Sequence, residues 1–184
     1  MRRFVSLTVL VAAVAGLAAW FVFATPDFVQ RERYPLSYRP IVTGHARNYR
    51  LEPALLAAVI YAESKFHADA QSTSGAIGLM QLLPSTAHGI ALHTGGSKFK
   101  TADLYDPEIN VRYGAWYLRH LLDKYGSERL ALAAYNAGQN NVDAWLRARK
   151  GIEFEETRSY VNRVEHLKSV YRRAYGARLG HDGT

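Results

Sequence analysis

One acid closes a long apolar run in this chain: Ala54-Leu-Leu-Ala-Ala-Val-Ile-Tyr-Ala-Glu63-Ser64. Written on a helix, Glu63 shares a face with Leu56, Val59, Ile60 and Phe66, its i−7, i−4, i−3 and i+3 neighbours. That is the face expected to pack inward. Lost hydration penalises the charged carboxylate and raises its pKa, and the negative end of the helix macrodipole acts in the same direction. A carboxylic acid still protonated near neutral pH can give its proton to a glycosidic oxygen. The same pattern also fits a structural acid bonded to a backbone amide or an arginine. Glu63 alone does not decide between them.

Three further segments bear on the choice: Ser72-Thr-Ser-Gly75-Ala-Ile-Gly78-Leu-Met-Gln81-Leu, Ala133-Ala-Tyr135-Asn136-Ala-Gly138 and Phe154-Glu-Glu156-Thr-Arg-Ser-Tyr160-Val161. With Glu63-Ser64 they resemble, in order, the motifs of the lytic transglycosylases. The likeness is to the catalytic domain of the soluble type, related to goose-type lysozyme, and it covers about Ile41 to Tyr175. It implies a mainly α (α+β), lysozyme-like globular domain with a substrate cleft and a small β-hairpin lobe. The implied activity is cleavage of the β-1,4 bond between N-acetylmuramic acid and N-acetylglucosamine in peptidoglycan, leaving 1,6-anhydromuramoyl ends. Glu63 is then the catalytic acid and base, and the Tyr135 hydroxyl lies close to it, orienting it or supporting developing charge. Gly75 and Gly78 let the backbone approach the sugar, and Gln81 reaches into the cleft as an amide donor or acceptor. Ser72 matches a substrate-contacting serine, Asn136 stands at a helix end in the third motif, and Glu156 matches an acid lining the cleft. Tyr160 is implied to stack on sugar or to pack over Glu63. Two of these have a plainer reading as well, Ser72 as a turn residue and Glu156 as a helix N-terminal acid. The chain departs from the soluble type at Leu83, where a methionine is expected.

A conventional glycoside hydrolase needs two carboxylates, ~5–5.5 Å apart for retention or ~6.5–9.5 Å for inversion. No second acid stands out beside Glu63; Asp69 is nearest and reads as a solvated or capping residue. The transglycosylase reaction implied by the resemblance manages with one Glu, because the sugar's own C6 hydroxyl is the nucleophile. A hydrolase on the same fold and a catalytically idle wall-binding module remain as rivals. Intact Glu63, Gln81 and Tyr135 weigh against the idle module.

Several elements must position these residues. Pro40 opens a helix to about Tyr49, and Pro53 at N1 starts the Glu63 helix. From His67 to Leu83 the helical period is lost, predicting a loop with a small β-hairpin or an irregular lobe. Pro84 starts a short helix that Gly95-Gly96 ends. Asp106-Pro107-Glu108 is a cap, an N1 proline and a first-turn acid, opening a helix to about Tyr125 with Ile109, Tyr113, Trp116 and His120 on one side. Further helices are expected from Ser127 to Gly138, from Asn140 to Arg149 with Val142, Trp145 and Leu146 inward, and from Glu156 to Tyr175. Residues 177–184 read as a frayed tail. The catalytic domain is thus placed at 40–176.

The 184 residues suffice for one domain with appendages, and they contain no cysteine. Disulfides, thiolate metal sites and a cysteine nucleophile are excluded. No His-x-x-x-His pair or calcium loop is present, so neither metal nor cofactor is expected. The net charge of +7 sits in basic flanks around a slightly acidic middle. No nucleic-acid motif accompanies it, and an anionic lipid surface or cell wall fits better. Arg2-Arg3 precede an uncharged run, Phe4 to Ala24, that as a helix reaches about 30 Å and could span a bilayer. The positive-inside rule then puts the remainder on the far side. Two readings stay open: an uncleaved membrane anchor (residues 1–25), or a signal cleaved after Val22-Phe23-Ala24. Residues 26–39, with Pro26 and Pro35, read as a linker.

Overall fold

A computed structural model describes residues 27–180. The expected anchor at Phe4–Ala24 and the tail at 181–184 lie outside the described residues. Among those described, no helix is long and apolar enough to cross a membrane. The chain divides into a unit ending at Pro35 and another beginning at Leu36. In the first, α1 (Asp27–Arg33) occupies the stretch expected to be a linker. Asp27 in its first turn and Arg31 and Arg33 in its last complement the helix dipole, which offsets the missing apolar stripe.

The second unit is built on α3 (Pro53–Ser64), entered from α2 (Arg39–Asn48). Every residue from Ala54 to Ile60 is buried. A helix apolar all round must be covered all round, so α3 is the central element. Its largest neighbour is α8 (Glu155–Tyr175), which presents Thr157, Tyr160, Val161, Val164, Leu167, Tyr171 and Ala174 as an i, i+3, i+4 stripe. Lys168 on α8 bonds Glu52, at the start of α3, at 3.0 Å and Glu128 at 2.7 Å. α5 (Pro107–Tyr125) and α6 (Glu128–Ala137) pack together, and α7 (Gln139–Arg147) lies against α6. The caps fall where the sequence put them: Asp106 accepts from the Ile109 amide at 3.0 Å, and Gly126 turns the chain out of α5 with φ 60°.

Three expectations about the helices and the tail need correcting. The stripe on α5 is rotated: Asn110, Val111, Tyr113, Gly114, Leu118 and Leu121 are buried, whereas Trp116 is half-buried and His120 exposed. On α7, Val142 and Trp145 face inward but Leu146 is exposed. The segment from Gly176 to Leu179 is not frayed. It forms a 3₁₀ turn against α3 that buries Leu179.

The lobe between α3 and α4 (Pro84–Thr94) is not a β-hairpin. Two single antiparallel bridges, Gln71 to Ile77 and Ile77 to Leu82, are all the pairing it has, and no strand occurs among the described residues. Left-handed backbone at Gly75 (φ 80°), Gly78 (φ 81°) and Gln81 (φ 48°) reverses the chain every three residues, too often for a ladder to extend. Beneath the lobe, Ile77, Leu82, Ile90, Leu104 and Tyr113 form a small buried cluster.

Candidate active site

Glu63 stands in the last turn of α3, half-buried. The chain leaves the helix at once through Lys65 and Phe66, both with positive φ (51° and 65°). The Tyr160 hydroxyl, from α8, donates to Glu63 Oε1 at 2.6 Å. Burial pushes the Glu63 carboxyl up to about 7, against the smaller opposing pull of the Tyr160 bond and the Arg163 charge. Burial and the neighbouring Glu63 charge raise both Tyr160 and Tyr135 well above the usual phenol range, so both keep their protons. The acid is therefore poised at neutrality, with one oxygen held and the other left for chemistry.

The lobe is fastened opposite Glu63 by polar side chains from three helices. Ser64 Oγ donates to the Leu79 carbonyl at 2.8 Å, and the Tyr135 hydroxyl donates to the Met80 carbonyl at 2.8 Å. Asn110, fully buried, accepts from the Met80 amide at 2.8 Å and donates to the carbonyls of Ile77 (2.9 Å) and Leu104 (2.8 Å). An amide side chain there supplies an acceptor and two donors, which the irregular backbone cannot find in a ladder. Gly114 opposes Met80 so closely that a Cβ would meet its Sδ at 2.3 Å.

Between lobe and helices runs a cleft of about 430 Å³, lined by Glu63, Ser72, Gln81, Leu83, Tyr117, Tyr135 and Asn136 among others. Among the described residues, Glu63 is the only carboxylate on its walls. A shallower recess shares Glu63 and Gln81 and holds the exposed Asp69 beside Lys65 and His67. No cluster of His, Asp or Glu among the described residues could hold a metal.

The structure brings Glu63, Ser72, Gln81, Tyr135 and Asn136 to this one cleft but alters several expected roles. Tyr135 bonds the lobe, not Glu63; the orienting phenol is Tyr160. Tyr160 is only 3% exposed, so it is closed to sugar stacking. Gly78 does not face the cleft: a Cβ there would lie 2.2 Å from Asn110 Nδ2, so the glycine serves the approach of Asn110 to the backbone. Gln81 spends its amide hydrogens on the carbonyls of Ala70 (3.1 Å) and Gly78 (3.0 Å), leaving its oxygen to face a ligand. Ser72 lines the cleft while accepting from the Ala76 amide at 3.0 Å, so the turn reading and the cleft reading both hold geometrically. Asn136 accepts from the Thr157 hydroxyl at 2.8 Å, which joins the third motif to the fourth. Glu156 is exposed in the first turn of α8 and lines no part of the cleft. Asn110 is the residue that sequence reasoning misses, although a lone amide between Ile109 and Val111 on a helix with an apolar face is a readable signal.

These features accord with a relationship found by comparison. The Transglycosylase SLT domain family matches residues 41–157. The chain belongs to that family. The soluble lytic murein transglycosylase of Salmonella typhimurium is 33% identical to it over 157 residues, which is 79% of this chain and 24% of that protein. Among solved structures, an inactive mutant of the lytic transglycosylase Slt from Pseudomonas aeruginosa has a TM-score of 0.74 at 34% identity, covering 80% of this chain and 26% of the other. The 70 kDa soluble lytic transglycosylase of Escherichia coli gives 0.74 at 31%, with the same coverage. The chain thus spans about a quarter of the length of these relatives, and the shared part is the SLT domain carrying the cleft.

Proposed function

We propose that this SLT domain is a peptidoglycan lytic transglycosylase. It cleaves the β-1,4 bond between N-acetylmuramic acid and N-acetylglucosamine and leaves 1,6-anhydromuramoyl ends for cell-wall remodelling. The observation that carries this is a lone cleft carboxyl whose pKa is raised to about 7, with no second carboxylate among the described residues of the cleft walls. Protonated Glu63 gives its proton to the glycosidic oxygen as the C1–O bond breaks. The resulting carboxylate takes the proton of the muramoyl C6 hydroxyl, whose oxygen bonds to C1. Glu63 ends as it began, and no water is consumed. A hydrolase would need a second acid to hold a water. Tyr160 positions the carboxyl, and Tyr135, Ser64 and Asn110 hold the lobe that forms the opposite wall. The Gln81 oxygen, Ser72 and Asn136 contact the glycan, and the exposed Glu156 is left for the peptide-bearing part of the wall polymer.

The acid form of Glu63 starts the reaction, so kcat/KM on isolated wall is expected to fall as pH rises through about 7. The Tyr160 hydroxyl favours the charged form. In Tyr160→Phe that support is gone, the carboxyl pKa moves further up, and the alkaline limb shifts to higher pH. Tyr135→Phe, which loses only the Met80 bond, should leave the limb in place and cost ~1 kcal/mol of stability. A limb unmoved by Tyr160→Phe, or moved by Tyr135→Phe alone, contradicts these assignments.

On the same proposal Phe4–Ala24 is an uncleaved anchor holding the domain on the far side of the membrane, where the wall lies. Its length and the preceding Arg2-Arg3 support this. Carbonate extraction with N-terminal sequencing checks it: a soluble product beginning at Thr25 would mean a cleaved signal.

A further inference from the structure

Between its two proton transfers Glu63 is a carboxylate, in a place where burial disfavours the charge. Among the described residues, no lysine or arginine lines the cleft, so its walls supply no counter-charge. The phenols around it supply none either. Burial raises Tyr160 from α8, Tyr135 from α6 and Tyr117 from α5, and all three stay neutral. On the other side of Glu63, Lys65, His67 and Asp69 stand at the exposed shallower recess, where the lysine and the aspartate offset each other.

Arg163 stands three residues beyond Tyr160 on α8, a spacing that puts both side chains on one helix face. Its guanidinium carbon lies over the Tyr160 ring, 5.7 Å from the centroid. The hydroxyl of that same ring donates to Glu63 Oε1 at 2.6 Å. Cation, ring and carboxyl therefore form one chain of contacts from the surface to the acid. Nothing on α8 draws Arg163 elsewhere. Its i±3 and i±4 neighbours are Ser159, Tyr160, His166 and Leu167, and Glu165 is taken by Arg129 from α6. Solvent screens the exposed guanidinium, yet its charge still reaches Glu63 and favours the carboxylate against the larger effect of burial.

We propose that Arg163 is a positioning residue for the reaction: its guanidinium, seated over Tyr160, is the counter-charge that supports Glu63 as a carboxylate between its two proton transfers. This rests on the reading of Glu63 as the acid and base of glycan cleavage. Two readouts on the full chain test it. One is the carboxyl ¹³C titration of Glu63, its resonance identified by its loss in Glu63→Gln; the other is the pH profile of wall lysis. Without the cation the carboxylate loses support, so Arg163→Gln is expected to move the Glu63 midpoint and the alkaline limb together to higher pH. The move should be roughly 0.3–0.7 of a pH unit, the size an exposed charge pair sustains. Activity on the acid side of the limb should fall by a comparable factor, about two- to fivefold. Arg163→Lys, which keeps the charge, should restore both. High salt should move the limb of the parent chain in the same direction and that of Arg163→Gln by less. A merely structural arginine would lower activity without moving the midpoint. A midpoint unmoved by Arg163→Gln, or equal salt shifts in both chains, overturns the proposal and leaves Glu63 as the acid. A midpoint that moves while the lysis limb stays would instead remove Glu63 from the chemistry, and the role of Arg163 with it.

Discussion

Glu63→Gln is expected to lower wall lysis by at least the ~10²–10⁴-fold that general acid–base catalysis supplies. The amide keeps the shape of the side chain and can still accept from the Tyr160 hydroxyl at the 2.6 Å position. It cannot lose and regain a proton, so both halves of the reaction fail together. Stability should move the other way. The folded-state pKa of about 7 lies above the unfolded value of ~4.3, so the folded chain binds more protons between those limits and loses stability as pH rises through them. The neutral amide of the variant carries no such charge. Melting temperature at pH 8 should therefore hold or rise while activity collapses. Near wild-type lysis by a folded variant would mean that another group is the acid.

Asn110→Ala is expected to do most damage to stability. The side chain is fully buried, and its removal strands the Met80 amide and the carbonyls of Ile77 and Leu104. At ~1–3 kcal/mol for each unsatisfied group, the loss should reach at least ~3 kcal/mol, a large part of the ~5–15 kcal/mol that holds a domain together. For a chain of this size that corresponds to a drop of roughly 6–12 °C in melting temperature. Turnover should fall in the fraction that stays folded, because Tyr135 and Ser64 hold Met80 and Leu79 of the same lobe from other helices. An unchanged melting temperature would show that the lobe is held by packing instead.

The helices and their ends were legible because they are local. Pro53, Asp106 and Gly126 mark boundaries through backbone geometry alone, and the structure places each as the sequence predicts. The apolar run before Glu63 likewise announced a half-buried acid without any tertiary knowledge. What was not legible depends on partners far along the chain. Periodicity on α5 picks out Ile109, Trp116 and His120 as the inward face because aromatics weigh heavily. The true face centres on Asn110 and Gly114, which are small or polar because Gly78 and Met80 press against them. The exchange of roles between Tyr135 and Tyr160 has the same origin. Both are motif tyrosines near one acid, and only the packing of α8 against α3 decides which hydroxyl reaches it. The expected hairpin failed for a local reason that could have been read: glycines three residues apart break a strand ladder before it forms.

Whether Glu63 recovers its proton from the muramoyl C6 hydroxyl or from water is tested most directly by mass spectrometry of the fragments released from purified peptidoglycan. With the C6 hydroxyl as nucleophile, the muramoyl ends are expected to be one water lighter than a reducing sugar, the mass of the 1,6-anhydro ring. Fragments ending in ordinary reducing muramic acid would show that water is the nucleophile and would contradict the transglycosylase mechanism.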